Sequence, residues 1–215
     1  MERRKAIKNI GLGLGAFVAT PAAMSILQSC GGSSLEPWKP KFFSEAEGVF
    51  LRRVLDAMIP ASGELPSATT ANVHVFVDKY VNEVYDVDDK GPTRESMKVT
   101  FQGLLEDAGE ENIASVKTSA YVAFLGKYLN KSKEEHEATE KRIWEYRDAN
   151  GSEMGMPAAD RIYSFLTGLR GRAVWAYQRS ELVGKTILAY KPVPGEQQGC
   201  IDVQEATGGR AWALN

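Results

Sequence analysis

"FFSEAEGVFLRRVLDAMIP", residues 42–60, decides the fold class. Ser44 is followed three residues later by Glu47, the spacing of a reciprocal helix N-cap. Phe43 stands where an apolar residue staples the entering chain onto the first turn. Phe50, Val54, Leu55, Met58 and Ile59 then recur at helical spacing, and Pro60 cannot continue the helix. The stretch predicts one amphipathic helix with an apolar stripe that needs a partner.

Outward toward the C-terminus the same signals repeat. "ASGELPSATTA" reads as a loop, after which Val73, Phe76, Val77, Tyr80, Val81 and Val84 trace one face of a second helix. Pro92 suits the first turn of a third, carrying Met97, Phe101, Leu104 and Leu105. Tyr121, Phe124, Leu125, Tyr128 and Leu129 mark a fourth. "SKEEHEATEKRIWEYRDANG" is a highly charged fifth with Gly151 as its stop. Pro157 opens a sixth through Ile162, Phe165, Leu166 and Leu169, which Trp175 and Tyr177 extend. "ELVGKTILAY" is too short to choose between helix and strand. From Lys191 onward Pro and Gly interrupt every period, predicting an irregular extended tail. Five or six helices and no internal repeat imply a mostly α protein, a small helical bundle or array spanning residues 42–190, with the tail at 191–215.

Outward toward the N-terminus the character changes. Residues 31–41, "GGSSLEPWKPK", have the composition of a tether. Before them lies a leader, residues 1–30. Arg3, Arg4, Lys5 and Lys8 head it, and no ionisable side chain other than the Cys30 thiol follows from Asn9 to Leu35. A basic head before an apolar run of small residues is the pattern of a secretory signal. Gly11, Gly13, Gly15 and Pro21 weaken it as a permanent membrane span. The Arg3-Arg4 pair resembles a twin-arginine (Tat) export signal, the type that carries folded proteins. Leu27-Gln28-Ser29-Cys30 resembles a lipobox, which makes Cys30 the candidate lipidation site. The glycine alternation at residues 11–15 imitates a dinucleotide-binding turn, but no strand precedes it.

Charge and cysteines bound the rest. The chain of 215 residues has formal charge −2; dropping residues 1–29 removes four bases and one acid and leaves −5. That balance gives no electrostatic footprint for nucleic acid. The two cysteines, Cys30 and Cys200, cannot alone ligate an iron–sulfur cluster, and no C-x-x-C-H haem motif occurs. Should Cys30 carry lipid, Cys200 is left over; a bridge to Cys30, a bridge to a partner and a buried thiol are the alternatives.

Reactive centres are sparse. His136-Glu137-Ala138-Thr139-Glu140 approaches the H-E-x-x-H zinc motif, but Glu140 occupies the second ligand position, and zinc sites gather three or four ligands. A surface pair one helical turn apart is the preferred reading. His74 reads as a partly buried, hydrogen-bonded histidine. In "GLRGR" the small Gly168 and Gly171 suggest a close helix approach, with Arg170 and Arg172 pairing to acids. Phe42-Phe43 and Trp212 read as exposed aromatics of an interface. The tail, with Pro192, Pro194, Cys200 and Trp212, has no periodic face to bury and must pack on the bundle, on a partner, or on both.

The order of these segments is familiar. "FFSEAEGVFLRRVLDAMIP", "VHVFVDKYV", "ELVGKTILAYKPVPGEQQGC" and "GGRAWAL" resemble the gluconate 2-dehydrogenase subunit 3 family, small subunits of membrane-associated sugar and polyol dehydrogenases. The likeness covers both ends of the chain beyond the leader. It implies a large partner subunit of the glucose–methanol–choline type that carries FAD, and a cytochrome c subunit that takes the electrons through haem c. It implies that this chain is a non-catalytic subunit assisting export, maturation or anchoring of the flavoprotein in the periplasm or cell envelope. The family offers no catalytic, cofactor-binding or metal residues to carry over, so the residues singled out are Arg3 and Arg4 for the Tat translocase and Cys30 for lipid. The alternative is a stand-alone helical envelope lipoprotein acting as a binding or scaffold module; an enzyme using His136 and Glu140 with a metal ranks last.

Overall fold

Ser44 starts the first helix as its spacing predicts. In the computed structural model, which describes residues 38–193, 195 and 199–213, helix α1 runs Glu45–Met58. Ser44 Oγ accepts from the Glu47 N–H at 3.3 Å, while Glu47 Oε2 accepts from the Ser44 N–H at 2.8 Å. The same device opens α5, Lys133–Asn150, through Ser132 and Glu135. Gly151 ends that helix at φ 67°, a left-handed conformation that costs glycine nothing.

Between these lie α2 (Val73–Val84), α3 (Val87–Ala108) and α4 (Thr118–Leu129); after them come α6 (Ala158–Arg179), α7 (Glu181–Thr186) and α8 (Val203–Thr207). The protein is mostly helical, and no strand occurs among the described residues. Six of the eight described helices are those the periodicity predicts. The two short ones, α7 and α8, have too few turns to reveal a period. Each is announced only by its cap: Ser180 accepts from the Val183 N–H, and Asp202 from the Gln204 and Glu205 N–H groups.

Helix α6 is the axle. It packs against α1 through α5 and against α7. Phe50, Leu51 and Leu55 of α1, Met97 and Leu104 of α3, Tyr121 of α4 and Leu166 of α6 are sealed from solvent or nearly so, and the Phe50 ring lies 6.0 Å from Phe101 and 6.2 Å from Tyr121. Burial of such side chains, about 1.5–3 kcal/mol each, supplies most of the favourable free energy. One glycine matters here. A Cβ on Gly103 would meet Ile162 Cδ1 at 3.0 Å, so Gly103 is where α3 and α6 come closest.

Four expectations need correction. Helix α3 begins at Val87, five residues before Pro92. Asp86 precedes it in an extended conformation, and Asp88 and Asp89 favour its positive end. Pro92 removes only the bond that would reach the Asp88 carbonyl, which water can satisfy because Asp88 is exposed. Phe42 and Phe43 are not exposed aromatics but core, at 7% and 6% exposure. Gly168 and Gly171 mark no helix–helix approach: a Cβ on Gly171 would touch nothing within 4 Å, and one on Gly168 only Arg172 of its own helix. Finally, Arg170 and Arg172 form no ion pair with an acid among the described residues; the Arg172 guanidinium lies over the Tyr85 ring at 5.1 Å. The small residues predict proximity only where a second helix is present, and here α3 supplies the glycine instead.

The tail closes on the domain. Ala189 N–H donates to the Ala211 carbonyl at 2.8 Å and Ala213 N–H to the Ala189 carbonyl at 2.9 Å, a single parallel bridge between Ala189 and Trp212. "ELVGKTILAY" is thus helix at its start and a bridge near its end. The described tail packs at least partly within the chain, while Trp212 keeps half its surface in solvent. Cys200 is free and exposed, which corrects the buried-thiol reading.

Candidate interaction surface

Helix α2 has two working faces. Its inner face is Val73, His74, Val77, Asp78 and Val81. Asp78 is fully buried, and its carboxylate accepts three backbone N–H bonds from the entering chain: Lys41 at 2.7 Å, Phe42 at 3.0 Å and Phe43 at 3.2 Å. Arg94 closes the same knot by donating to the Phe42 carbonyl at 2.8 Å and lying 4.3 Å over the Phe42 ring. His74 is also buried. Desolvation, with the Arg52 charge nearby, lowers its pKa to about 4, so the imidazole is neutral at pH 7. Apolar periodicity assigns this face to Phe76, Tyr80 and Val84 as well. The structure instead leaves Val84 57% exposed and places Phe76 and Tyr80 on the flank. Asp78 took an inner place because the N–H groups it binds lie in the chain entering α1.

On that flank an aromatic surface assembles. Phe76 lies 5.5 Å from Tyr80 and 5.2 Å from Trp175 of α6, and Tyr80 lies 6.5 Å from Trp175. The Arg179 guanidinium covers Trp175 at 4.5 Å, a cation–π contact that holds both side chains. Phe76, Trp175 and Arg179, together with Val75, Leu182, Lys79 and Lys185, line an open groove of about 720 Å³ between α2, the end of α6 and α7. Trp175 remains 43% and Leu182 38% exposed. Neither Phe76–Tyr80 nor Trp175 was separable from core residues in sequence. The available signal is that α6 carries two apolar neighbours, Val174 and Trp175, at positions a single buried stripe cannot both occupy.

A second cleft, of about 580 Å³, lies between α5 and α6. His136 does not line it but contacts Tyr163, which does, and is not half of a metal motif. Its Nδ1 lies 2.8 Å from the Tyr163 hydroxyl, which donates to Glu140 Oε1 at 3.3 Å. Burial, and then the Glu140 charge, raise the Tyr163 pKa, so the phenol stays protonated and bridges the two. The predicted surface pair is therefore indirect. Among the described residues no group of three or more His, Cys, Asp or Glu side chains is placed to hold a metal. Trp144, Glu137, Lys141 and Arg147 complete the walls, with the charges of both signs interleaved.

The candidate residues of the leader, Arg3, Arg4 and Cys30, lie outside the described residues. No described helix is long and apolar enough to cross a membrane.

Residues 45–195 match the family model for gluconate 2-dehydrogenase subunit 3, and the chain belongs to that family. The match runs through residues 90–155, which the quoted motifs leave uncovered, so α3, α4 and α5 are part of the shared domain. It makes the chain an accessory-type subunit of a gluconate 2-dehydrogenase oxidoreductase complex. No curated protein and no solved structure matches the chain.

Proposed function

We propose that this chain is a non-catalytic small subunit of a periplasmic FAD-dependent sugar or gluconate dehydrogenase, escorting or anchoring a flavoprotein of the glucose–methanol–choline type. The observation that carries this reading is the family match over the whole helical domain, since that family is named as a subunit. The flavin belongs to the large subunit and haem c to a third, electron-accepting subunit. This chain contributes the address and the grip.

A flavoprotein that acquires FAD before export must cross its membrane folded. A partner bearing Arg3 and Arg4 can enter the Tat translocase and take the holoprotein along. The grip is supplied by exposed apolar surface on the helices and the tail, where Trp175 and Trp212 face solvent. Exposed tryptophans on a folded domain are more often contact residues than accidents. After transit, lipid on Cys30 holds the complex at the membrane.

The test separates address from grip. Arg3→Lys combined with Arg4→Lys should leave both this chain and the flavoprotein in the cytoplasm. Fractionation followed by flavin fluorescence reads the result. A flavoprotein that still reaches the periplasm removes the escort role. Purified chain that oxidises a sugar with no flavoprotein present removes the non-catalytic one.

A further inference from the structure

Two grooves expose a tryptophan, and their charges differ. In the α5–α6 cleft Glu137 and Glu140 stand beside Lys141 and Arg147, so the walls neutralise one another. In the α2–α6–α7 groove the charged side chains are Lys79, Arg179 and Lys185 against the single acid Glu181. Glu181 is spoken for, its Oε1 lying 2.6 Å from Lys185 Nζ. Lys79 and Arg179 are exposed and form no ion pair among the described residues, on a chain that carries −5 beyond residue 29. An acidic protein that gathers these cations around a groove floored by Phe76 and Trp175 has built a patch of opposite sign to its average.

Pairing this charge with the apolar floor defines the chemistry of the occupant. Trp, Tyr and Arg are the side chains that dominate binding energy at interfaces, especially when water is excluded around them. Arg179, with its guanidinium carbon 4.5 Å from the Trp175 ring centroid, is exposed and within reach of a partner. A planar fork of this kind recognises carboxylate with two hydrogen bonds. We infer that the groove between α2, α6 and α7 is the seat of the flavoprotein subunit, receiving an apolar side chain against Trp175 and carboxylates against Lys79 and Arg179. This rests on the functional reading above and names the surface and partner chemistry it requires. Complementary charge steers association and fixes register, and the aromatic floor supplies the slow dissociation.

The experiment uses the full chain co-expressed with its flavoprotein and reads flavin absorbance retained per chain after affinity purification. Wild type should retain flavin, and retention should fall as salt rises from about 0.05 M to about 0.5 M, where exposed charge is screened. Trp175→Ala should lower retention about tenfold or more, the size of an interface hot spot. Lys79→Glu with Arg179→Glu, both on the surface and outside the core, should do the same with an unchanged circular dichroism spectrum. Trp144→Ala should retain flavin like wild type. If wild type holds flavin and the Trp175 and charge-reversal variants hold it equally, the groove is not the seat, while the subunit reading stands. If Trp144→Ala loses as much as Trp175→Ala, the loss is not specific and the groove is again excluded. If wild type holds no flavin, the subunit reading falls and takes this surface with it.

Discussion

Helices α5 and α6 lie against each other and are held by opposite means. Helix α6 buries eight residues, among them Ile162, Tyr163, Leu166, Leu169 and Ala173, and touches every long helix. Helix α5 buries only Thr139 and Ile143. It is attached by polar pairs instead. Arg142 donates to Asp160 through Nε at 2.8 Å and Nη2 at 2.5 Å, His136 meets Tyr163, and Arg147 bonds Glu153 and Ser164. Apolar burial is indifferent to salt and proton concentration at this scale; exposed or half-exposed ion pairs are not. The contrast therefore predicts a domain with one firm layer and one conditional layer.

The strongest way to break the comparison is at the axle. Leu166→Ala should destabilise the whole domain by about 2–5 kcal/mol, because a fully buried leucine leaves a cavity that the surrounding helices cannot close. Thermal or urea unfolding checks this, and the loss should appear in all helices together. Acid comes next. The folded pKa of His74 is depressed to about 4 from 6.5, so the unfolded state binds the extra proton between those values. Stability is then full above about pH 6.5 and falls as pH drops toward 4, by up to about 1.4 kcal/mol per unit for one proton. His74→Leu should flatten that part of the pH–stability curve. Asp160 acts with the same sign at lower pH: the bonds from Arg142 lower its pKa, so its contribution is present above the ordinary carboxylate range and lost as pH falls through the lowered value.

Smaller effects sharpen the picture. Arg142→Ala should cost about 1 kcal/mol or less, since the arginine is more than half exposed. Its signature is location rather than size. Hydrogen exchange should quicken in α5 while α6 stays protected, and high salt should mimic the change in wild type. Trp144→Ala, at 64% exposure, should alter stability by no more than about 0.5 kcal/mol. An α5 that exchanges as slowly as α6 in all these conditions would erase the distinction between the layers.

What could be read from the chain alone follows the same division. Local devices were legible, because cap and stop are written within four residues of each other: Ser44 with Glu47, and Gly151 after Asn150. The six long helices follow from these and from period. Long-range choices were not legible. Nothing near Asp78 says that it will bind the N–H groups of residues 41–43, and without that partner Phe42 and Phe43 look like surface. Helix α2 has two apolar strips, and period alone cannot tell that His74 and Asp78 turn inward while Tyr80 turns out. The groove escaped for that reason: its members belong to α2, α6 and α7, and only tertiary packing brings Phe76 within 5.2 Å of Trp175.

The position of α6 in the chain has a consequence for biosynthesis. Every long helix leans on a segment ending at Arg179, so the earlier helices have no complete core while the ribosome is still making it. A helical hairpin that forms early is marginal in water without tertiary packing. Folding of this domain thus waits until α6 has left the ribosome, and whatever recognises its finished surface acts only after that point.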